Sequence, residues 1–247
     1  MNPKHYQEYW TKGWTVVEGV FAAEEMDCVA ELAHQITDRE RASARPGYNV
    51  DFSQDGTQQA PRKLECPFAK HERFRELVLD PRLVGLIRSL LRHRPLLSGD
   101  QLFMKPPRFG SAKPYHQDNF YFQCFPADEV ITAWIALDDA DAGNGCLRYI
   151  DGSHLGPILP HHEIPGEPYN LVPPPELIDF SKESIAVVKK GGVVFHHVNT
   201  LHTSHRNGSD RWRKGYATHW VSANVTCQIE TLNRAHFKKE EFKALFA

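Results

Sequence analysis

The sequence predicts a mainly β protein with N-terminal helices: a double-stranded β-helix, or jelly roll, of the cupin kind. Two observations carry that expectation. From about residue 96 onward the chain breaks into short β-branched or aromatic runs, separated by turn-rich segments such as PPRFGSAK, DAGNG and RNGSD. Before that point the apolar residues recur mainly at helical spacing. A length of 247 residues suits one large domain with a sizeable core. Residues 1–247 therefore read as a single unit, helical over about 1–95 and β-helical over about 96–225.

In chain order, GWTVVEGVF opens with a short strand. Residues 22–40 place Met26, Val29, Leu32, Ala33 and Ile36 on one helical face. HERFRELVLD and PRLVGLIRSLLR follow as helices, and Pro81 suits a helix N-terminus because its missing N–H would have no partner there. The strand candidates come next: LLSGDQLFMK, YHQDNFYFQ, EVITAWIALDDA, CLRYIDGS, SIAVVKK, GVVFHHV and RKGYATHWVS. Residues 152–183 interrupt them with a proline-rich stretch, expected to keep a defined shape without being a strand and to act as a lid or binding loop. Its His154, His161, His162, Glu163, Tyr169 and Asn170, beside Leu155, Ile158 and Leu171, suit recognition of a small molecule with polar and apolar parts. HFKKEEFKALF at the C-terminal end reads as an amphipathic helix.

Composition excludes several classes of function. A formal net charge of −2 gives no bulk attraction to nucleic acid or to an anionic membrane. No apolar run approaches the roughly 18–20 residues that span a bilayer, and the N-terminus lacks a signal-peptide pattern. Cys28, Cys66, Cys124, Cys146 and Cys227 are scattered without a CxxC, so they read as reduced thiols of a cytoplasmic protein. Histidine is plentiful, with 14 residues.

The chemistry concentrates in two segments. KPYHQDNFYF puts His116 and Asp118 one residue apart, and on an extended strand both point to one face. GGVVFHHVNTLHTSHRNGSDRWRKGYATHW holds His196, His197, His202 and His205, any of which is a candidate third ligand. Arg213 follows His202 by eleven residues across RNGSD, and two paired strands with that connection would bring them together. Two histidines and one carboxylate hold Fe(II) on one face and leave positions open for a 2-oxo acid and O2. The far carboxylate of such a cosubstrate needs a fixed cation, and arginine matches it with a planar fork. Ser204, on the same strand face as His202, adds a hydroxyl donor.

With those residues in place, the chain resembles the phytanoyl-CoA dioxygenase family of Fe(II)/2-oxoglutarate oxygenases. The matching pieces run in order: KPP at 105–107, HQD at 116–118, AWIALDDADAGNGCLRYIDGSHLG at 133–156, LHTSH at 201–205 and RKG at 213–215. The resemblance implies His116, Asp118 and His202 as catalytic metal ligands, with Arg213 and Ser204 on the 2-oxoglutarate carboxylate. It adds Trp134 as a wall of the cosubstrate pocket, and Gln101 and Lys63 near 2-oxoglutarate. The implied cofactors are Fe(II), 2-oxoglutarate and O2, and the implied reaction is hydroxylation of a small organic metabolite with release of succinate and CO2. Arg148 and His154 are further candidates for facing the substrate. The HH at 196–197 departs from the His-Pro common in relatives. The expected partner is a small molecule, with no nucleic acid or membrane, in a monomer or homodimer. The competing class is a cupin-like metal hydrolase or isomerase using the same ligands, with no task for Arg213; a catalytically silent binding module is a third.

Overall fold

The computed structural model describes residues 1–40, 42 and 45–228. The C-terminal stretch read as an amphipathic helix lies outside the described residues. The chain opens with α1 (Pro3–Lys12), β1 (Trp14–Val17) and α2 (Ala23–Arg39). In α2 Met26, Val29, Ala33 and Ile36 are buried, as their spacing predicts. Three short strands follow, β2 (Val50–Phe52), β3 (Gln59–Pro61) and β4 (Lys63–Glu65), then α3 (Pro67–Lys70), α4 (Glu72–Val78) and α5 (Pro81–Leu91). Pro81 takes the first turn of α5 as read, and the structure adds a cap: the Asp80 side chain accepts from the Arg82 N–H at 2.8 Å.

The barrel begins with β5 (Leu96–Lys105), β6 (Lys113–His116), α6 (Asp118–Phe122) and β7 (Cys124–Phe125). It continues through β8 (Val130–Ala136), β9 (Leu147–Ile150), β10 (His162–Ile164), β11 (Glu167–Val172), β12 (Glu183–Ala186), β13 (Val193–His197), β14 (His202–Ser204), β15 (Arg213–Val221) and β16 (Thr226–Cys227). A six-stranded sheet has the order β1-β13-β8-β15-β5-β4, and a four-stranded sheet β12-β9-β14-β6. Every pairing in both is antiparallel.

Period-two alternation explains why the central strands are apolar on both sides. In β8, Ile131, Ala133 and Ile135 pack outward with Met26, Phe74, Leu83 and Ile87 of the helices. Trp134 and Ala136 point the other way, into a cluster with Val194 and Ala217 of the large sheet and Leu147, Tyr149 and Ala186 of the small one. The two sheets thus meet face to face, and the helices brace the outer face of the larger.

Four features differ from the sequence reading. The first 95 residues hold more strand than the one read at GWTVVEGVF, which is β1: β2, β3 and β4 are added, and β1 and β4 form the two edges of the large sheet. Residues 152–183 contain strands, because β10 and β11 pair as a hairpin. Its turn is Pro165-Gly166, with Gly166 at φ 81°, so these residues make a hairpin turn rather than break a strand. Cys124 and Cys227 are disulfide-bonded, where β7 pairs β16; a separation of 103 residues left no local signal of that pairing. Finally, His202 and Arg213 lie on strands of opposite sheets, not on paired neighbours. Among the described residues no helix is long and apolar enough to cross a membrane.

Candidate active site

Strand β6 ends at His116, Gln117 stays extended, and Asp118 begins α6. The His-x-Asp pair therefore straddles a strand-to-helix junction rather than sitting within one strand. Across the small sheet His202 of β14 pairs directly with His116. The ligand atoms of His116, Asp118 and His202 all lie within 4.8 Å of one another, and the three residues are buried. Each imidazole Nε2 is 3.7 Å from Asp118 Oδ1.

The imidazoles are held ready for a cation. His116 Nδ1 lies 2.9 Å from the Pro114 carbonyl, and His202 Nδ1 is 2.9 Å from that of Thr200. A backbone carbonyl can only accept, so each Nδ1 carries the proton and each Nε2 presents a lone pair. Burial pushes both histidines toward the neutral form, His116 well below its ordinary value. Burial alone would raise the Asp118 carboxyl, but His202 and the hydrogen bond from His196 outweigh it and hold the group well below the usual carboxylate range.

Asp118 Oδ2 is claimed from behind, leaving Oδ1 for the histidines. Thr132 Oγ1 donates to it at 2.9 Å and His196 Nε2 at 3.1 Å. The chain extends on both sides with consistent polarity. Tyr149 OH donates to His196 Nδ1 at 2.8 Å. His219 Nδ1 donates to Thr132 Oγ1 at 2.9 Å, and Gln101 Nε2 lies 3.3 Å from His219 Nε2. His196 is thus the partner of the candidate ligand carboxylate. His197 faces Asp128 at 3.1 Å, and His205 is exposed. His196→Ala is expected to weaken Fe(II) affinity about 10–100-fold, the usual cost of losing a group behind a ligand, whereas His197→Ala and His205→Ala leave it unchanged. Equilibrium iron titration of the three variants checks the ranking.

The same cavity, about 340 Å³, is lined by Arg213, Ser204, Trp134, Gln101 and Lys63 as well as the three candidate ligands. Arg213 is 2% exposed, and its Nε finds no hydrogen-bond partner. Burial pushes its pKa down to about 10. A buried guanidinium left so incompletely paired is costly, by several kcal/mol in order of magnitude, and a carboxylate would relieve it. The Arg213 guanidinium sits 5.4 Å from the Trp134 ring. That indole fits because residue 215 lacks a side chain: a Cβ on Gly215 would stand 1.7 Å from Trp134 Cζ2. Gly215→Ala is expected to cost about 1–3 kcal/mol, as overpacking of a core does, and to lower the melting temperature in a thermal unfolding scan.

Lys63 Nζ lies 3.5 Å from Glu65 Oε1 and 4.7 Å from the Tyr48 ring, at the sheet edge. Two other candidates are not in the cavity. Arg148 donates to Glu183 at 2.6 Å, and His154 packs with Gly13 and His197. From the hairpin Asn170 reaches the cavity, His161 stacks on Phe120 at 4.1 Å, and Leu171 N donates to Tyr121 OH at 3.3 Å. The Tyr169 side chain lies outside the described residues. Sequence reading missed Thr132, Tyr149, His219 and Lys113. Period-two spacing from Trp134 on β8, and from Arg213 along β15, places Thr132 and His219 on the inner face.

Two imidazoles, one carboxylate and a buried arginine lining one cavity of a double-stranded β-helix define the class of iron- and 2-oxoglutarate-dependent oxygenases. The chain belongs to the phytanoyl-CoA dioxygenase family, whose model matches residues 9–215. It is 34% identical over 146 residues to the peroxisomal phytanoyl-CoA dioxygenase of Bos taurus, covering 56% of this chain and 43% of that relative. It is 30% identical over 227 residues to a probable alpha-ketoglutarate-dependent hypophosphite dioxygenase of Stutzerimonas stutzeri, covering 88% and 79%. The chain thus spans under half the length of the first relative and about four fifths of the second. In shape it is similar to EvdO2 of Micromonospora carbonacea var. aurantiaca, solved with 2-oxoglutarate, at TM-score 0.73 and 20% identity over 93% of this chain and 94% of that one.

Proposed function

We propose that the protein is an Fe(II)- and 2-oxoglutarate-dependent dioxygenase that hydroxylates a small organic molecule, with His116, Asp118 and His202 as the metal ligands. The observation that carries the reading is the buried, incompletely paired Arg213 in the same cavity as those three groups. A metal hydrolase or isomerase would need the ligands alone.

The donor set fits Fe(II): two neutral Nε2 atoms and one carboxylate oxygen, with Asp118 Oδ2 kept busy by Thr132 and His196. When bound, the iron with 2-oxoglutarate and O2 supplies oxidising power for a C–H bond, releasing succinate and CO2. Arg213 and Ser204 hold the far carboxylate of 2-oxoglutarate, and Trp134 keeps the guanidinium in place. Lys63 and Gln101 line the wall of that pocket. The β10–β11 hairpin forms one wall for the primary substrate and limits water entry.

The direct test is Fe(II)-dependent release of CO2 from carboxyl-labelled 2-oxoglutarate, restored by Fe(II) and not by Zn(II) after chelation. Release with Zn(II), or none with Fe(II), overturns the reading. For the hairpin, replacing residues 160–174 with a short Gly/Ser linker is expected to spare iron binding and substrate-free decarboxylation while weakening product formation. Unchanged coupling of decarboxylation to hydroxylation in the folded variant overturns its role as a wall.

A further inference from the structure

The cavity carries more positive charge than the cosubstrate uses. Its lining includes Arg62, Lys63, Lys105, Lys113 and Arg213 against the single carboxylate of Asp118. Two of these cations sit beside carboxylates, one is assigned to the cosubstrate, and Lys105 has three acceptors for its three N–H bonds, whereas Lys113 has one. Lys105 Nζ donates to the carbonyls of Ser111, Ser204 and His205. Arg62 is 3.7 Å from Asp51, and Lys63 is 3.5 Å from Glu65. Arg213 is assigned to the far carboxylate of 2-oxoglutarate. With iron and 2-oxoglutarate bound, the near carboxylate and Asp118 would balance the charge of Fe(II).

Lys113 is left over. Its Nζ bonds to a neutral acceptor, Asn170 Oδ1 at 2.9 Å, and no carboxylate among the described residues lies within ion-pair distance of it. It is partly buried beside the Tyr121 ring, 5.5 Å from its centroid. Burial, then the neighbouring Arg62 and Lys63, push its pKa down to about 8, against the smaller opposing pull of Asp118 and Glu167. Its backbone is fixed: Thr203 Oγ1 donates to the Lys113 carbonyl at 2.7 Å, and Lys113 pairs with Ser204. It stands on β6, the strand that also carries His116, whereas Arg213 lies on the opposite sheet. Its ammonium reaches Asn170 of β11 and so faces the hairpin, while the strand partner of Lys113 is Ser204, on the cosubstrate side.

We propose that the primary substrate carries an oxyanion head, a carboxylate or a phosphate, that seats on Lys113 between β6 and the β10–β11 hairpin. The proposal rests on the oxygenase reading above and names the class of molecule that the site accepts. Asn170 then turns from a partner of the lysine into a neighbour of the anion, with its amide held by Glu167 at 2.8 Å. The remaining wall, Tyr121 and Phe122, is aromatic and suits an apolar body attached to that head.

The test titrates butyrate, inorganic phosphate and uncharged butyramide into anaerobic protein saturated with Fe(II) and 2-oxoglutarate, followed by calorimetry. At least one of the two anions is expected to bind at one site, and butyramide is expected not to bind. Lys113→Met is expected to weaken anion binding at least tenfold, and Lys113→Arg to restore it, with 2-oxoglutarate affinity unchanged in both. Tighter butyrate identifies a carboxylate head, and tighter phosphate a phosphoryl one. The proposal is overturned if neither anion binds wild type, if both bind Lys113→Met as well as wild type, or if the Lys113 variants lose 2-oxoglutarate instead. Failure of wild type to bind 2-oxoglutarate at all is a separate result, and it overturns the oxygenase reading beneath the proposal.

Discussion

Asp118→Ala is expected to lose stoichiometric Fe(II), with affinity falling by more than the ~10–100-fold typical of losing a group behind a ligand. The reason is charge. Asp118 is the only anionic group among the three candidate ligands, and its Oδ1 stands 3.7 Å from both imidazole Nε2 atoms. The substitution also leaves the Thr132 hydroxyl and the His196 N–H without their acceptor. His202→Ala is expected to lose iron as well, because no other histidine on that segment takes its place: His196 is engaged by Asp118 and Tyr149, His197 by Asp128, and His205 points to solvent. Iron per protein after desalting measures both. Full occupancy in either variant contradicts the ligand assignment.

Arg213→Ala is expected to raise the 2-oxoglutarate requirement at least tenfold while iron stays bound. Truncating one partner of a buried charge-assisted pair costs about 2–5 kcal/mol, which comfortably exceeds tenfold. Arg213→Lys retains the charge but loses the planar fork, so it falls between wild type and alanine. The same residue predicts an opposite effect on stability. Its guanidinium is buried beside Trp134 with Nε unpartnered, so Arg213→Met is expected to raise the melting temperature of the 2-oxoglutarate-free protein. Saturating 2-oxoglutarate is expected to reverse that order, because only wild type gains the ion pair. Paired melting curves with and without the cosubstrate check both signs.

The parts legible in sequence were those with local periodicity or a short motif. Met26, Val29, Ala33 and Ile36 gave α2 away by spacing, and Pro81 marked the start of α5. HQD and the His202-to-Arg213 interval named residues that fold to one cavity. What escaped depends on contacts that no window contains. β4 joins the edge of the large sheet through its pairing with β5, although it is only three residues long. Cys124 meets Cys227 because the barrel brings β7 beside β16. The eleven-residue interval suggested a hairpin, yet the chain crosses between sheets, so His202 and Arg213 line one cavity from opposite sheets. The polar chain behind Asp118 was hidden for a similar reason. Thr132, His196 and His219 come from β8, β13 and β15, which become neighbours only in the sheet order. The proline-rich stretch misled because prolines in a hairpin turn and in its flanks look, in composition, like prolines that forbid strands.

The most direct test of the account is a crystal structure of the protein with Fe(II) and 2-oxoglutarate, grown without oxygen, with iron located by its anomalous signal. The account predicts iron bonded to His116 Nε2, His202 Nε2 and an Asp118 oxygen, with the far carboxylate of 2-oxoglutarate paired to the Arg213 guanidinium. Iron bound through His196 instead of His202, or a far carboxylate seated on Lys113 or Lys63 while Arg213 stays unpaired, would contradict it.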